Sequence, residues 1–177
     1  MRKELLKLMP EFLKIKNPEL QEKTIKVWDE AIKKSGWTID DLKEMPFTLL
    51  IQKTPVNIVE HTRAVTLVSL RIGEVILESY EGKVPINQDY LLSGALLHDV
   101  GKLFEYRKEG GKFIQSREGR LLRHPISGAA FAYQFELPQE IIHIIAAHSK
   151  EGDGTRRTIE AIIVNHADFV NFDVLKD

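Results

Sequence analysis

The stretch Leu91–Lys102, LLSGALLHDVGK, decides how this sequence folds, because an apolar run ends there in a histidine and a carboxylate. A segment that is apolar nearly all round is predicted to be a central helix. His98 and Asp99 are adjacent ionisable groups at the end of that helix, and burying them costs free energy unless a partner holds them. A divalent metal ion accepts neutral imidazole and ionised carboxylate together. The stretch therefore predicts a metal site at the end of a buried helix.

Composition narrows the class of protein. The chain has 177 residues, of which 43% are apolar, and this is enough for one domain with a substantial core. Lys plus Arg number 25 and Asp plus Glu number 26, so an extended nucleic-acid partner, which needs a basic face, is not expected. The chain has no cysteine, which excludes disulfides and thiolate metal sites. Any metal ligands must therefore be nitrogen and oxygen donors.

The apolar stretches of the chain are far shorter than a membrane span. Near the N-terminus, Pro10 and Glu11 interrupt any secretory apolar segment. We therefore expect a cytoplasmic protein with no membrane partner.

Helical spacing of apolar side chains predicts a mostly helical chain. The predicted helices cover about residues 18–34, a short segment after Thr38, and residues 56–80, 87–98, 125–135, 138–148 and 156–172, the last with Thr155 as its candidate N-cap. Alternation in Leu103–Arg107 and Lys112–Gln115, with two glycines between them, instead predicts a small β-hairpin. The expected fold class is all-α, with an N-terminal helical extension over residues 1–50 and a core over residues 51–177.

Four more potential ligands follow the chain at wide spacing: His61, His124, His148 and Asp168. Taken singly, each histidine could be an ordinary core or helix-terminal residue. The aspartate is more informative, because a carboxylate inside an apolar helix has no capping role and disfavours the helix unless it faces a cation.

The other histidines are predicted not to be ligands. His166 lies about 200° round a helix from Asp168, so the two cannot share a face. His143 is five positions from His148 and also points elsewhere.

The ordered set of histidines and aspartates resembles the HD-domain superfamily of metal-dependent phosphohydrolases. The local strings that carry the resemblance are Glu60–Arg63 (EHTR), Leu96–Lys102 (LLHDVGK), Arg123–Pro125 (RHP) and Asn165–Asp168 (NHAD). The resemblance covers about residues 55–172 and implies an all-helical core.

The resemblance implies two divalent metal ions, expected to be Fe or Mn, with Zn, Ni, Co or Mg as alternatives. One ion would be held by His61, His98, Asp99 and Asp168. The other would be held by His124 and His148, with Asp99 as the bridge. The two middle histidines are often missing in members with one metal, so this chain resembles the binuclear type.

The sequence departs from the branch of the family that cleaves cyclic dinucleotides. His124 is followed by Pro-Ile-Ser-Gly, and the Gly-Tyr-Pro signature of that branch is absent at this point. The chain is instead similar to small stand-alone members, some of which cleave cyclic phosphates or nucleoside monophosphates.

The hypothesis for activity is that a metal-bound hydroxide attacks the phosphorus of a phosphomonoester or cyclic phosphodiester of a small nucleotide-like substrate. Asp99 and Lys102 are the predicted catalytic residues. Lys102 could reach a phosphate oxygen, or it could be a solvated lysine at a helix end. The predicted substrate-binding residues are Lys102, Arg120, Arg123 and Arg156. The arginines are included because a guanidinium group can bind phosphate with two hydrogen bonds.

Two alternatives remain open from the residues alone. Some relatives with this ligand set hold a di-iron centre and act as oxygenases, as in the myo-inositol oxygenase type. The chain could also be a non-catalytic, metal-stabilised binding module. A homo-oligomer is a further open question, as is the role of the N-terminal extension.

Overall fold

The computed structural model describes residues 2–176, and residues 1 and 177, the outer ends of the predicted extension and core, lie outside that range. Over the described residues the chain is mostly helical, with one two-stranded hairpin. The predicted all-α fold class is thereby confirmed. No helix among the described residues is long and apolar enough to cross a membrane.

The elements follow one another with short connections. The α-helices are α1 (Arg2–Leu8), α2 (Pro18–Ser35), α3 (Ile39–Glu44), α4 (Ile58–Ser79), α5 (Gln88–Leu97), α6 (Lys102–Glu105), α7 (Arg117–Leu121), α8 (His124–Ala132), α9 (Gln139–Ala147) and α10 (Ile159–Asp173). The strands are β1 (Tyr106–Glu109) and β2 (Lys112–Gln115). Short 3₁₀ helices lie at Pro10–Lys14, Tyr133–Phe135 and Lys150–Gly152.

Helix α5 is the centre of the fold. Every residue from Leu91 to Leu97 is buried, and α2, α4, α9 and α10 all pack against this helix. A helix that is apolar on all sides can only be stable when it is surrounded in this way. Its C-terminal end, where His98 and Asp99 follow, is therefore inside the molecule.

The hairpin is shorter than the sequence predicts. Its strands are antiparallel, with Tyr106 opposite Gln115, and the turn uses glycines at positive φ. The predicted start of the first strand at Leu103 is wrong, because residues 102–105 form α6. Backbone hydrogen bonds from Phe104 and Glu105 to the carbonyl of Gly101 close this helical turn.

The last helix begins later than predicted. Its N-cap is Thr158, whose hydroxyl accepts a hydrogen bond from the backbone N–H of Ala161 at 3.3 Å. Thr155 instead donates its hydroxyl to the carbonyl of Gly152 at 2.9 Å. This bond ties Thr155 to the preceding 3₁₀ helix. The segment between Thr155 and Thr158 is a loop, and Arg156 lies in that loop.

Gly101 allows the start of α8 to lie directly against the end of α5. A Cβ atom at this position would lie 2.0 Å from the carbonyl oxygen of His124 and 2.7 Å from the backbone nitrogen of Gly128. Contacts this short with backbone atoms exclude any side chain unless the helix moves. The glycine after the His-Asp pair therefore fixes where His124 lies.

The N-terminal residues are packed against the rest of the chain. Leu5, Phe12 and Trp28 belong to the same apolar cluster as Leu96 of α5. The indole of Trp28 donates a hydrogen bond to the carbonyl of Leu96 at 2.7 Å. The division into an extension over residues 1–50 and a core over residues 51–177 stays a prediction.

Candidate metal centre

Six side chains from five segments of the chain meet at the buried end of α5. They are His61 in the first turn of α4, His98 and Asp99 directly after α5, His124 at the start of α8, His148 directly after α9, and Asp168 on α10. The structure thus brings together all six residues that the sequence analysis proposed as ligands. Their role as ligands stays a prediction.

The carboxylate of Asp99 lies between two pairs of imidazoles. Its Oδ2 atom is 3.5 Å from Nε2 of His61 and 3.4 Å from Nε2 of His98. Its Oδ1 atom is 3.3 Å from Nε2 of His124 and 3.7 Å from Nε2 of His148. Each oxygen therefore faces a different pair, which is the arrangement of a carboxylate that bridges two cations.

Asp168 extends only one of the two groups. Its Oδ1 atom is 3.0 Å from Nε2 of His61 and 3.9 Å from Nε2 of His98. The first group thus contains two imidazoles and two carboxylates. The second group contains His124, His148 and the shared carboxylate of Asp99.

Backbone carbonyls set the orientation of two of the imidazoles. Nδ1 of His98 is 2.6 Å from the carbonyl oxygen of Ala95, and Nδ1 of His148 is 2.8 Å from that of Ile145. Because a carbonyl oxygen only accepts, Nδ1 carries the hydrogen in both rings. The Nε2 atoms of the neutral rings are then unprotonated, and they point at Asp99.

The spacing of the nitrogen atoms fits a metal ion. The Nε2 atoms of His61 and His98 are 3.4 Å apart, and those of His124 and His148 are 3.3 Å apart. An ion that binds imidazole nitrogens at about 2.0–2.1 Å holds two of them roughly 2.8–3.4 Å apart, from octahedral to tetrahedral angles. In addition, Oδ1 of Asp99 is buried without a hydrogen-bond partner among the described residues. Both groups therefore suit a cation.

Three of the candidate ligands, His148, Asp168 and Asp99, have pKa values shifted toward the forms that bind metal. At His98 burial lowers the pKa, but the charges of Asp99 and Asp168 and the hydrogen bonds of the ring together outweigh burial, and the pKa is raised. Burial, and to a smaller extent the charge of the neighbouring His98, lower the pKa of His148 to about 3. Burial raises the pKa of Asp168, but its hydrogen bond with His61 and the charges of His98 and His148 together outweigh this and bring the pKa to about 2. The pKa of Asp99 is well below its usual value, because Lys102 and His98 outweigh the effect of burial. Neutral imidazole and ionised carboxylates are the forms that bind metal.

Lys102 is buried beside the bridging carboxylate. Its Nζ atom donates to Oδ2 of Asp99 at 2.6 Å and to the carbonyl of Phe47. Burial lowers the pKa of this ammonium, but the charges of Asp99, Tyr106 and Asp168, with the hydrogen bond to Asp99, together outweigh burial and raise it. A solvated lysine at a helix end is therefore not what the structure has. The ammonium therefore offsets the negative charge of the Asp99 carboxylate at the centre of the site.

The three candidate arginines differ in their surroundings. Arg123 precedes His124, and its Nε atom donates to Oε1 of Glu105 at 3.1 Å, while 44% of its side chain is exposed. Arg120 and Arg156 are exposed on the surface. Of the three, Arg123 is the one that the structure ties to the metal centre.

Arg157, next to Arg156, has a structural role. Its guanidinium donates to the carbonyls of Ala147 at 2.7 Å and Ser149 at 2.9 Å, on either side of His148. Asn165 donates to the carbonyl of His148 itself at 2.6 Å. These bonds hold the chain on both sides of a candidate ligand.

Two residues at the site were not predicted from the sequence. Phe47 stacks on the ring of His61 with 4.3 Å between ring centroids, and its carbonyl accepts from Lys102. It lies in a loop that carried no signal. Glu105 accepts a hydrogen bond from Nδ1 of His124 at 2.8 Å, and it lay in a segment that alternation assigned to a strand.

The histidines predicted not to be ligands have other surroundings. His166 is exposed on α10. His143 is partly buried, and its Nε2 atom accepts a hydrogen bond from the backbone N–H of Thr158 at 3.3 Å.

Comparisons with known proteins point in one direction. The family model described as HD domain matches residues 58–171 of the chain. The chain is 40% identical over 114 residues to a dihydroneopterin 2′,3′-cyclic phosphate phosphodiesterase of Methanocaldococcus jannaschii, across 63% of this chain and 45% of that protein.

The chain is also similar, at lower coverage, to two longer proteins. Ribonuclease Y of Acidothermus cellulolyticus is 31% identical over 49% of this chain and 15% of that protein. Ribonuclease Y of Desulforamulus reducens is 36% identical over 43% of this chain and 12% of that protein. The chain thus spans less than half the length of these relatives. No solved structure matches it.

Proposed function

The chain belongs to the HD domain family, and from that premise we propose that it is a metal-dependent hydrolase of phosphoric esters. Its substrate would be a cyclic phosphodiester or a phosphomonoester of a small nucleotide-like molecule. The observation that carries the proposal is the position of Asp99, whose two oxygens face two separate pairs of imidazoles. A carboxylate placed between two such pairs supports a site in which two metal ions share one bridging ligand and hydrolyse a phosphoester.

The two candidate metal positions have different ligand sets. His61, His98, Asp99 and Asp168 would hold one ion, and His124 and His148 would hold the other with Asp99 shared between them. Divalent ions bound there supply positive charge for the phosphate oxygens and make water a better nucleophile at neutral pH. The family and the histidine-aspartate groups support divalent metal binding. The count of two and the preference for Fe or Mn are part of the proposal.

Two of the chain's own cations, Lys102 and Arg123, would have different roles at the site. Lys102 holds one oxygen of Asp99 through a 2.6 Å hydrogen bond and so limits the negative charge at the centre of the site. Arg123 is partly exposed beside His124 and can bind a phosphate oxygen. Arg120 and Arg156 are exposed candidates for contacts farther from the reacting phosphate.

The comparisons favour phosphodiester hydrolysis over the alternatives. The Methanocaldococcus relative is a phosphodiesterase of a 2′,3′-cyclic phosphate, so the first substrate class to test is a small cyclic phosphodiester. The oxygenase alternative has no support among these relatives and is not proposed. A cytoplasmic location and a homo-oligomeric state stay predictions from the sequence.

The test combines metal content with turnover. The purified protein, stripped of metal and reloaded with Mn²⁺ in the absence of air, is assayed against 2′,3′-cyclic nucleotides, dihydroneopterin 2′,3′-cyclic phosphate and nucleoside monophosphates. We expect hydrolysis of at least one cyclic phosphodiester, and we expect Asp99→Ala to lose both ions and all turnover because the bridge is shared. Elemental analysis measures the metal.

His166→Ala is the matched control, because this exposed histidine lies on the same helix as Asp168. It should keep full metal content. Two ions retained by Asp99→Ala would contradict the bridging role. A Mn²⁺-loaded protein that hydrolyses no substrate of the panel would contradict the proposed activity.

A further inference from the structure

Glu105 is a buried carboxylate at the end of α6 that the proposed function does not yet use. Only 4% of the residue is exposed, and its side chain reaches the start of α8. Burying a carboxylate is costly unless hydrogen bonds satisfy its oxygens. The groups that satisfy it therefore indicate what it does.

Both oxygens of Glu105 are occupied by neighbouring donors. Oε2 accepts from Nδ1 of His124 at 2.8 Å and from the backbone N–H of the same residue at 2.7 Å. Oε1 accepts from Nε of Arg123 at 3.1 Å and from Nε2 of Gln115 at 3.1 Å. One carboxylate thus holds a candidate metal ligand, the start of its helix and the adjacent arginine.

The four imidazoles of the centre differ in what lies behind them. Nδ1 of His98 and Nδ1 of His148 face neutral backbone carbonyls. Nδ1 of His61 is buried without a hydrogen-bond partner among the described residues. Within the part of the chain that the structure describes, His124 is the one imidazole of the four that is backed by a carboxylate.

A carboxylate behind a ligating imidazole has two effects. It fixes the ring with its hydrogen on Nδ1, so that Nε2 faces the metal, and it makes Nε2 a stronger donor. At His124 the second hydrogen bond, from the backbone N–H, also fixes the position of the residue. These effects apply to the position formed by His124 and His148 and do not extend to the one formed by His61 and His98.

We propose that Glu105 is a positioning residue that raises the metal affinity of the His124–His148 position and holds Arg123 beside it. This inference rests on the proposed function, since it takes the six side chains as metal ligands. It assigns to one carboxylate the placement of a metal ligand and of a phosphate-binding arginine. The two metal positions are then unequal in what they need from the surrounding protein.

The experiment is a calorimetric titration of metal-free protein with Mn²⁺, comparing wild type with Glu105→Gln. Glutamine has nearly the same shape but no charge, and its amide group cannot satisfy all the donors that converge on the carboxylate. We expect one of the two dissociation constants to rise roughly 10- to 100-fold. The other dissociation constant should stay unchanged.

The matched control is Glu118→Gln, which makes the same chemical change at an exposed glutamate of α7. It should bind Mn²⁺ as wild type does. Thermal unfolding of the metal-free variants shows whether either change disturbs the fold.

A second measurement separates positioning from a general structural role. In a His124→Asn background the ring that Glu105 holds is gone, so adding Glu105→Gln should produce no further change in Mn²⁺ affinity. Effects of residues that act through one another are non-additive in this way. Equal, additive losses in both backgrounds would overturn the inference.

The outcomes also separate this inference from the proposed function. Wild type that binds two ions while Glu105→Gln binds them equally well would overturn the role of Glu105 alone. Equal weakening of both positions, with a lower unfolding temperature, would likewise overturn it in favour of a role in folding. Wild type that binds no Mn²⁺ would overturn both proposals.

Discussion

At the scale of single residues, the candidate metal centre is a set of buried groups whose charges depend on one another. Asp99 is nearly fully buried, and four imidazoles and one ammonium lie around it. Such a group of charges is costly to bury without internal partners. Here backbone carbonyls and Glu105 orient three of the imidazoles, and Lys102 pairs with the carboxylate of Asp99.

The buried His148 predicts how stability depends on pH. Burial lowers its pKa to about 3, whereas the unfolded chain has the ordinary value of 6.5. Between pH 3 and pH 6.5 the unfolded state therefore binds more protons than the folded state. The stability that the neutral His148 contributes is complete above pH 6.5 and declines as the pH falls toward 3. Urea unfolding of the chelator-treated protein across this range measures the free energy of unfolding.

His148→Gln provides the comparison for this pH dependence. Without a group that titrates at this position, the free energy of unfolding should fall less steeply between pH 6.5 and pH 3 than in the wild type. Parallel curves for the two proteins would show that His148 is not the source.

At the scale of elements, the ends of the helices decide where the ligands lie. His124 begins α8, His148 follows α9, and His98 follows α5, so a shift of any of these ends would move a candidate ligand. Gly101 sets one of these positions, because the carbonyl of His124 lies where a Cβ atom would be.

Gly101→Ala should therefore displace the start of α8. Introducing a methyl group into a filled space costs about 1–3 kcal/mol of unfolding free energy. Because the clash is with the backbone of His124, we also expect weaker Mn²⁺ binding than in the wild type. Chemical unfolding and metal titration of the variant measure the two effects.

Gly154→Ala is the control for this substitution, since no atom lies within 4 Å of the position of its Cβ. Its unfolding free energy should stay within about 0.5 kcal/mol of the wild type. A Gly101→Ala variant as stable as this control would contradict the close approach.

The elements were largely predictable from the sequence, and their ends were not. Periodicity located the longer helices, because an amphipathic face repeats over many residues, but it gave no signal for the short helices α1, α6 and α7. The predicted ends were wrong where one local sequence pattern is compatible with two structures. The alternation at Leu103 was interrupted by one helical turn, and Thr155 and Thr158 are both good capping residues, between which only tertiary contacts decide.

For the candidate site, the sequence predicted the six possible metal ligands but not the residues that support them. Residue types and positions marked the six candidate ligands, and the family resemblance supplied their assignment to two metal ions. Glu105 and Phe47 contact the site through distant pairings, and no local pattern marks such contacts. Whether the six residues bind metal stays a prediction.

At the scale of the whole molecule, the apolar core is continuous across the predicted boundary at residue 50. Trp28 and Phe12 belong to the same cluster as Leu96 and Val100. Arg63 of α4 also pairs with the buried carboxylate of Glu11 at 3.0 Å. Shared burial of this kind favours a single cooperative unit.

Trp28→Ala tests that cooperativity. Its side chain is fully buried, so truncation should cost about 3–5 kcal/mol of unfolding free energy. We expect one transition, shifted as a whole, when unfolding is followed both by circular dichroism and by the intrinsic fluorescence of Trp37. Leu13→Ala, at a side chain that is 61% exposed, should leave the transition nearly unchanged.

Two separate transitions, of which only one responds to Trp28→Ala, would show that the N-terminal residues fold independently. That outcome would support the division at residue 50.

The indole of Trp28 also has a bearing on where this domain can be cut. It supplies the hydrogen that the carbonyl of Leu96 accepts, two positions before His98. A shortened chain that keeps only residues 58–171, the part that matches the family, would lack this donor and would expose the inner side of α5 to water. The segment that matches the family is therefore shorter than the segment needed to shield His98 and Asp99 from water.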